Sequence, residues 1–195
     1  MESVERDLQV QHPDMPYNEL LANVHKELAK RLEVPTDDAA DKAFGRSITL
    51  WRPFPDTVQA LAKLKKHYKM IVLSNVDTYS FNTFTRKALE PEAEHPIFDE
   101  VVTAQDIKSY KPSLANFKYV LDLVKTKFGI EKDQVLVTAQ SLFHDHKPAN
   151  ILGIASSFIN REGAHMGEAT DVSYDFGFRT LGEMATARKQ ETAGL

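Results

Sequence analysis

Cysteine is absent from all 195 residues. That excludes a disulfide framework and any thiolate metal site, and it suits a reducing compartment, the cytoplasm. Long apolar runs are absent as well: nowhere do about 18 apolar residues follow one another, as a membrane span requires. The opening MESVERDLQVQHPD is polar and acidic, without the basic flank and apolar centre of a secretion signal. A soluble chain with no membrane partner is expected. No basic stripe is present either, so the electrostatic footprint of a nucleic-acid binder is missing. Lys63, Lys65, Lys66 and Lys69 do cluster, but apolar positions interleave with them at helical spacing, which reads as a solvated helix face. The net charge of −4 resides in residues 1–50, which hold ten acidic and six basic side chains. Internal repeats and low-complexity segments are lacking.

What is present is enough apolar content, 42%, to fill one core, or a core with a small accessory. Residues 1–50 read as helical throughout. Tyr17, Leu20, Leu21, Val24, Leu28 and Leu32 fall on one stripe, and Ala40, Phe44, Ile48 and Trp51 continue it beyond the break at Pro35. Asp37 or Thr36 suits the cap of the second of these helices. A helical cap subdomain over 1–50 and an α/β core over 51–195 are expected. The boundary is Trp51–Pro55, WRPFP, where two prolines stop the helix and Asp56 is placed to cap the next one.

The core is organised around Lys69–Asp77, KMIVLSNVD. Met70, Ile71, Val72 and Leu73 are apolar on successive positions, the mark of a parallel strand covered on both faces. Helices over about 78–88 and 113–128 and strands near 99–103, 134–138 and 156–159 follow, then an edge strand at 176–178 and a helix from Leu181. Such alternation predicts a doubly wound parallel sheet.

Three polar groups fall at carboxyl ends of these strands or in the loops that follow, the edge where open α/β sheets bind ligands. They are Ser74 with Asn75, Lys111 within SYKPS, and Asp145 within SLFHDH. A hydroxyl, an ammonium and a carboxylate together suit a small anionic substrate, with the lysine neutralising charge on a leaving oxygen or halide. Each has a plainer reading: Ser74 as a cap, Lys111 as a solvated loop lysine, Asp145 as one residue of a polar loop. His144 and His146 flank Asp145, but no third well-spaced ligand accompanies them. Trp51 and Phe54 are either hinge packing or a wall of the substrate site.

Taken together, LSNVD, then SYKPS about 35 residues later, then TAQSLFHDHKPANILGI resemble the haloacid dehalogenase superfamily of hydrolases, in its type II 2-haloacid dehalogenase branch. The resemblance runs from Pro16 to the tail at Leu181–Met184. It implies a Rossmann-like core under a helical cap and hydrolysis of a 2-haloacid or a phosphate ester. It also implies that Ser74 and Asn75 hold the substrate or a nucleophilic carboxylate, that Lys111 orients and neutralises it, and that Asp145 fixes Lys111 or assists water. The dehalogenase branch needs no cofactor; the phosphatase branch needs Mg²⁺ on an acidic pair, of which this loop has only Asp145.

One family feature is missing. Members carry a central first strand ending in Asp-x-x-Gly-Thr, whose aspartate attacks the substrate. The residues three before the eight glycines here are Lys42, Thr126, Asn150, Asn160, Ala164, Tyr174, Arg179 and Glu191. Two readings follow: an N-terminally truncated, impaired hydrolase, or a catalytically silent binding protein that retains the anion pocket. Asp77 and Asp106 are weaker stand-ins for the nucleophile. Without the central strand, the strands carrying Ser74 and leading to Asp145 must pair directly or leave backbone groups unpaired, which favours self-association.

Overall fold

The computed structural model describes residues 1–91, 96–163 and 167–193. Its N-terminal layer is three helices, α1 (Glu2–Gln11), α2 (Tyr17–Arg31) and α3 (Asp38–Arg46). The stripe on α2 buries Tyr17, Leu20, Leu21 and Val24, whereas Leu32, just beyond the helix, is 69% exposed. Asp37 starts α3 by accepting the Ala40 N–H at 2.8 Å, as the sequence predicts. Gly45 lets α3 press on α2, since a side chain there would collide with the Asn18 carbonyl. The apolar cluster of this layer takes in Val4 and Ile48 and also Ala104 and Tyr110 from far along the chain. The helical layer is thus seated on the rest of the molecule by apolar contact.

Beyond residue 50 the order is α4 (Thr57–Leu64), β1 (Ile71–Ser74), α5 (Thr78–Ser80), a π turn (Phe81–Thr85), α6 (Arg86–Leu89), β2 (Glu100–Thr103) and α7 (Ala104–Ile107). Then come α8 (Leu114–Phe128), β3 (Leu136–Ala139), a π turn (Leu142–His146), α9 (Lys147–Leu152), β4 (Ala155–Ile159), β5 (Phe176–Phe178) and α10 (Leu181–Ala193). Strand β3 begins later than the periodicity suggests because Glu131 and Gln134 close a capping box around a 3-10 turn over Lys132–Gln134.

Every strand pairing is parallel, as the alternation predicts, but the strands form two sheets. One is β1-β2; the other is β3-β4-β5. Among the described residues β1 and β3 do not pair with each other, and each has one hydrogen-bonded neighbour. The residues of β1 are therefore only half-buried, although their apolar run suggests a strand sealed on both faces. Helices bridge the two sheets on either side. On one face, Met70 and Leu136 pack against Ala60 of α4 and Met184 of α10; on the other, Leu73 and Val137 pack against Phe117 of α8.

Asp56 departs from its expected role. Its side chain makes no cap for α4; both oxygens instead accept from the Arg161 guanidinium, at 2.8 and 3.1 Å, and one also accepts the Gly182 N–H at 3.0 Å. A bidentate charge-assisted pair outweighs a single capping bond. The Arg161 hydrogen bonds hold the Asp56 carboxyl below its ordinary range.

Asp99 anchors the start of β1, accepting from Lys65 Nζ, from the Met70 N–H at 2.8 Å and from Lys69 Nζ at 3.1 Å. Burial pushes its carboxyl up, but these donors outweigh it and bring the pKa to about 2, from 3.8. A carboxyl lowered on folding adds stability that is present above its unfolded value and lost as pH falls toward its folded one. Stability is predicted to drop between about pH 4 and pH 2 by on the order of 1–2 kcal/mol from this group. Thermal melts of Asp99→Asn should show a lower midpoint at neutral pH and a flatter profile across that window; an unchanged acid limb would contradict the assignment.

Candidate active site

The carboxyl ends of β1 and β3 meet at Lys111. Asn75, the residue after β1, grips the Lys111 backbone from both sides: its Oδ1 accepts the Lys111 N–H at 2.8 Å and its Nδ2 donates to the Lys111 carbonyl at 3.2 Å. The backbone so fixed sends the side chain inward. Lys111 Nζ donates to the Leu73 carbonyl at 3.0 Å and to Asp145 Oδ1 at 2.7 Å. The Lys111 and Asp145 side chains are 13% and 12% exposed, so the pair is shielded from bulk water and its attraction is only weakly screened.

Asp145 is positioned by the π turn Leu142–His146. Ser141 caps that turn, its Oγ accepting the His144 N–H at 3.0 Å, and Asp145 N–H donates to the Ser141 carbonyl at 3.1 Å. The two histidines point away from any shared ligand. His144 Nδ1 lies 2.9 Å from Ser141 Oγ; His146 is fully buried, with Nε2 3.1 Å from the Ala139 carbonyl and its ring edge-on to Phe158. Among the described residues no cluster of three metal-ligating side chains forms. Asp145 commits one oxygen to the Lys111 ammonium.

Ser74 closes β1, with its Oγ accepting the Val76 N–H at 3.2 Å. The hydroxyl therefore supports the turn after the strand while keeping its own proton to donate. Of the four site residues expected from the sequence, Asn75, Lys111 and Asp145 are joined directly through Lys111, and Ser74 lies between Leu73 and Asn75. Trp51 and Phe54 stand outside this cluster of contacts. Trp51 is half exposed and edge-on to Tyr17 at 6.4 Å, and the Arg161 guanidinium covers Phe54 at 4.1 Å. Asp106 is consumed by the Thr103 capping box. Asp77 caps α5 through one oxygen, and its other, buried oxygen has no hydrogen-bond partner among the described residues.

Two contributors escape sequence reading. Tyr110, adjacent to Lys111, is buried in the helical layer's cluster and donates its hydroxyl proton to the Met15 carbonyl; burial, aided by the Asp77 charge, pushes its ionisation upward. Phe143 stacks under the Arg6 guanidinium at 4.1 Å, tying α1 to the Asp145 turn. The SYKPS stretch flagged the lysine, but nothing flagged its neighbour as a contact to the helical layer.

The chain matches no protein-family model. It is 28% identical over 137 residues, 70% of its length, to a curated glyceraldehyde 3-phosphate phosphatase of Methanocaldococcus jannaschii. The chain spans about half the length of the curated relatives it matches, 57% and 47%. Solved structures align over far more. An L-2-haloacid dehalogenase superposes with a TM-score of 0.74 at 22% identity, over 97% of this chain and 78% of its own. The L-2-haloacid dehalogenase of Xanthobacter autotrophicus gives 0.72 at 18%, over 96% and 84%. The fold is that of the haloacid dehalogenase superfamily. Within that superfamily fold the Lys111 cluster lies at the carboxyl edge of the strands, where α/β folds place their ligands.

Asn75→Ala should release the Lys111 loop. It leaves the Lys111 N–H and C=O without their side-chain partner, at about 1–3 kcal/mol, and amide exchange over residues 109–111 should accelerate at least tenfold. A loss of stability with unchanged exchange there would mean that Asn75 acts elsewhere.

Proposed function

We propose that this protein is a haloacid dehalogenase-type hydrolase that binds a small anionic substrate, a 2-haloacid or a phosphate ester, at Lys111. The observation that carries this reading is the junction of Asn75, Lys111 and Asp145. An ammonium has three N–H bonds. Two are directed, to Leu73 and Asp145, and the third is available to an anionic oxygen or a departing halide. Asp145 holds the ammonium in place, the Ser74 hydroxyl donates to the same anion, and Asn75 acts through the backbone of Lys111. The helical layer over residues 1–50 serves as a cap on the core, and Trp51 and Phe54, at the junction, act as packing residues near the substrate's approach. The curated phosphatase relatives support the phosphate-ester arm, and the structural neighbours support the haloacid arm.

A second reading has its own support. The acid hydrogen-bonded to Lys111 is Asp145, and it functions as an acceptor for the lysine. A chain that binds the anion without turning it over is the alternative. Binding and turnover are separable. Calorimetric titration with inorganic phosphate and with 2-chloropropionate should show saturable binding that Lys111→Ala weakens at least tenfold. Halide release from 2-haloacids and phosphate release from simple esters, with and without Mg²⁺, then divide the readings. Release lost in Lys111→Ala supports the hydrolase, and binding without release supports the silent protein. Absence of binding from folded protein removes both.

A further inference from the structure

A helical turn leaves its first N–H groups without partners inside it. In the turn Leu142–His146 such groups are met from outside. The Gly167 carbonyl, in the connection between β4 and β5, accepts the Phe143 N–H at 2.8 Å. Ser141 meets the next three: its Oγ accepts the His144 N–H at 3.0 Å, and its carbonyl accepts the N–H groups of Asp145 at 3.1 Å and His146 at 3.3 Å. Gly167 is buried, with φ at +74°, and the space a side chain would take there is filled by Ser141. A Cβ on Gly167 would overlap the Ser141 hydroxyl and come within 2.8 Å of the Ser141 Cβ and 3.3 Å of His144 Nδ1. The backbone conformation and the close approach both call for glycine.

We infer that Gly167 is a positioning residue for the Lys111–Asp145 pair, acting through Ser141. A side chain at 167 must displace Ser141, and Ser141 cannot move without loosening the N–H bonds that aim the Asp145 turn. Asp145 Oδ1 in turn holds Lys111 Nζ at 2.7 Å, so a shift passed along this route redirects the N–H that the ammonium offers to an anion. Misplacement of a reacting group by about 1 Å costs on the order of a hundredfold. The inference deepens the anion-binding reading above and rests on it for its functional consequence. A glycine kept only for its positive φ would make no demand on Ser141. The two roles separate because φ strain is the same whatever residue stands at 141, whereas the collision depends on that residue.

The test is a double-mutant cycle over the unaltered chain, Gly167→Ala, Ser141→Gly and the double variant. Each is titrated calorimetrically with inorganic phosphate, and each is read by the ¹³C carboxyl resonance of Asp145, assigned by its loss in Asp145→Asn. Gly167→Ala should weaken phosphate binding at least tenfold and shift that resonance. Ser141→Gly removes the colliding atoms, so adding Gly167→Ala to it should change affinity less than twofold and leave the resonance where Ser141→Gly alone puts it. An unmoved resonance in Gly167→Ala, or the same fold-loss in both backgrounds, would overturn the inference in favour of φ strain alone. Should Gly167→Ala fail to fold, the Ser141→Gly background decides: a double variant that melts with Ser141→Gly supports the inference, and one that also fails to fold overturns it. If the unaltered chain binds no phosphate, the anion reading falls by itself, and the resonance comparison still decides whether Gly167 positions Asp145.

Discussion

The Lys111 ammonium reaches both halves of the divided sheet. Through the Leu73 carbonyl it holds β1, and through Asp145 it holds the turn that follows β3. The helices bridge the same division with apolar contact, which is larger in area but has no direction. The lysine adds a fixed distance and angle. It is also the least replaceable part of the arrangement: removing one member of a shielded ion pair leaves the other charge uncompensated, typically at a cost of about 3–5 kcal/mol. The residue proposed to read the substrate is thus also the residue that sets the geometry of the edge on which substrate would sit.

The helical layer and the site are linked through neighbours of these same residues. Tyr110 packs with Val4, Tyr17 and Leu20 and precedes Lys111 in the chain. Phe143, two residues before Asp145, lies beneath Arg6 of α1. Movement of the helical layer would pull on both members of the ion pair through one or two peptide steps, which gives a physical route from the position of that layer to the geometry of the site.

Much of this was legible in the sequence because it rests on local grammar. Apolar runs at 70–73 and 135–137 announced parallel strands, and polar residues at their carboxyl ends announced a site. Asn75, Lys111 and Asp145 were marked as candidates at such ends or in the loops that follow, and they meet in space although their contacts span more than thirty residues. What stayed hidden depends on distant partners. Asp56 resembles a cap and is claimed by Arg161, 105 positions away, because two charge-assisted bonds exceed one capping bond. Strand β1 resembles a sealed central strand and is only half-buried, because burial is decided by the neighbour a strand has and not by its own composition. The direction in which Asn75 acts, on the backbone of Lys111, could not be read from a motif that records side-chain identity alone.

The central claim is that an anion is read at Lys111, at the junction of the two sheets. Its most direct test is a titration of the ¹⁵N-labelled chain with inorganic phosphate, followed by amide chemical shifts. The account predicts saturable changes confined to residues 74–76, 109–111 and 141–146. Changes centred on the Lys63–Lys69 cluster, with those three segments unmoved, would contradict it.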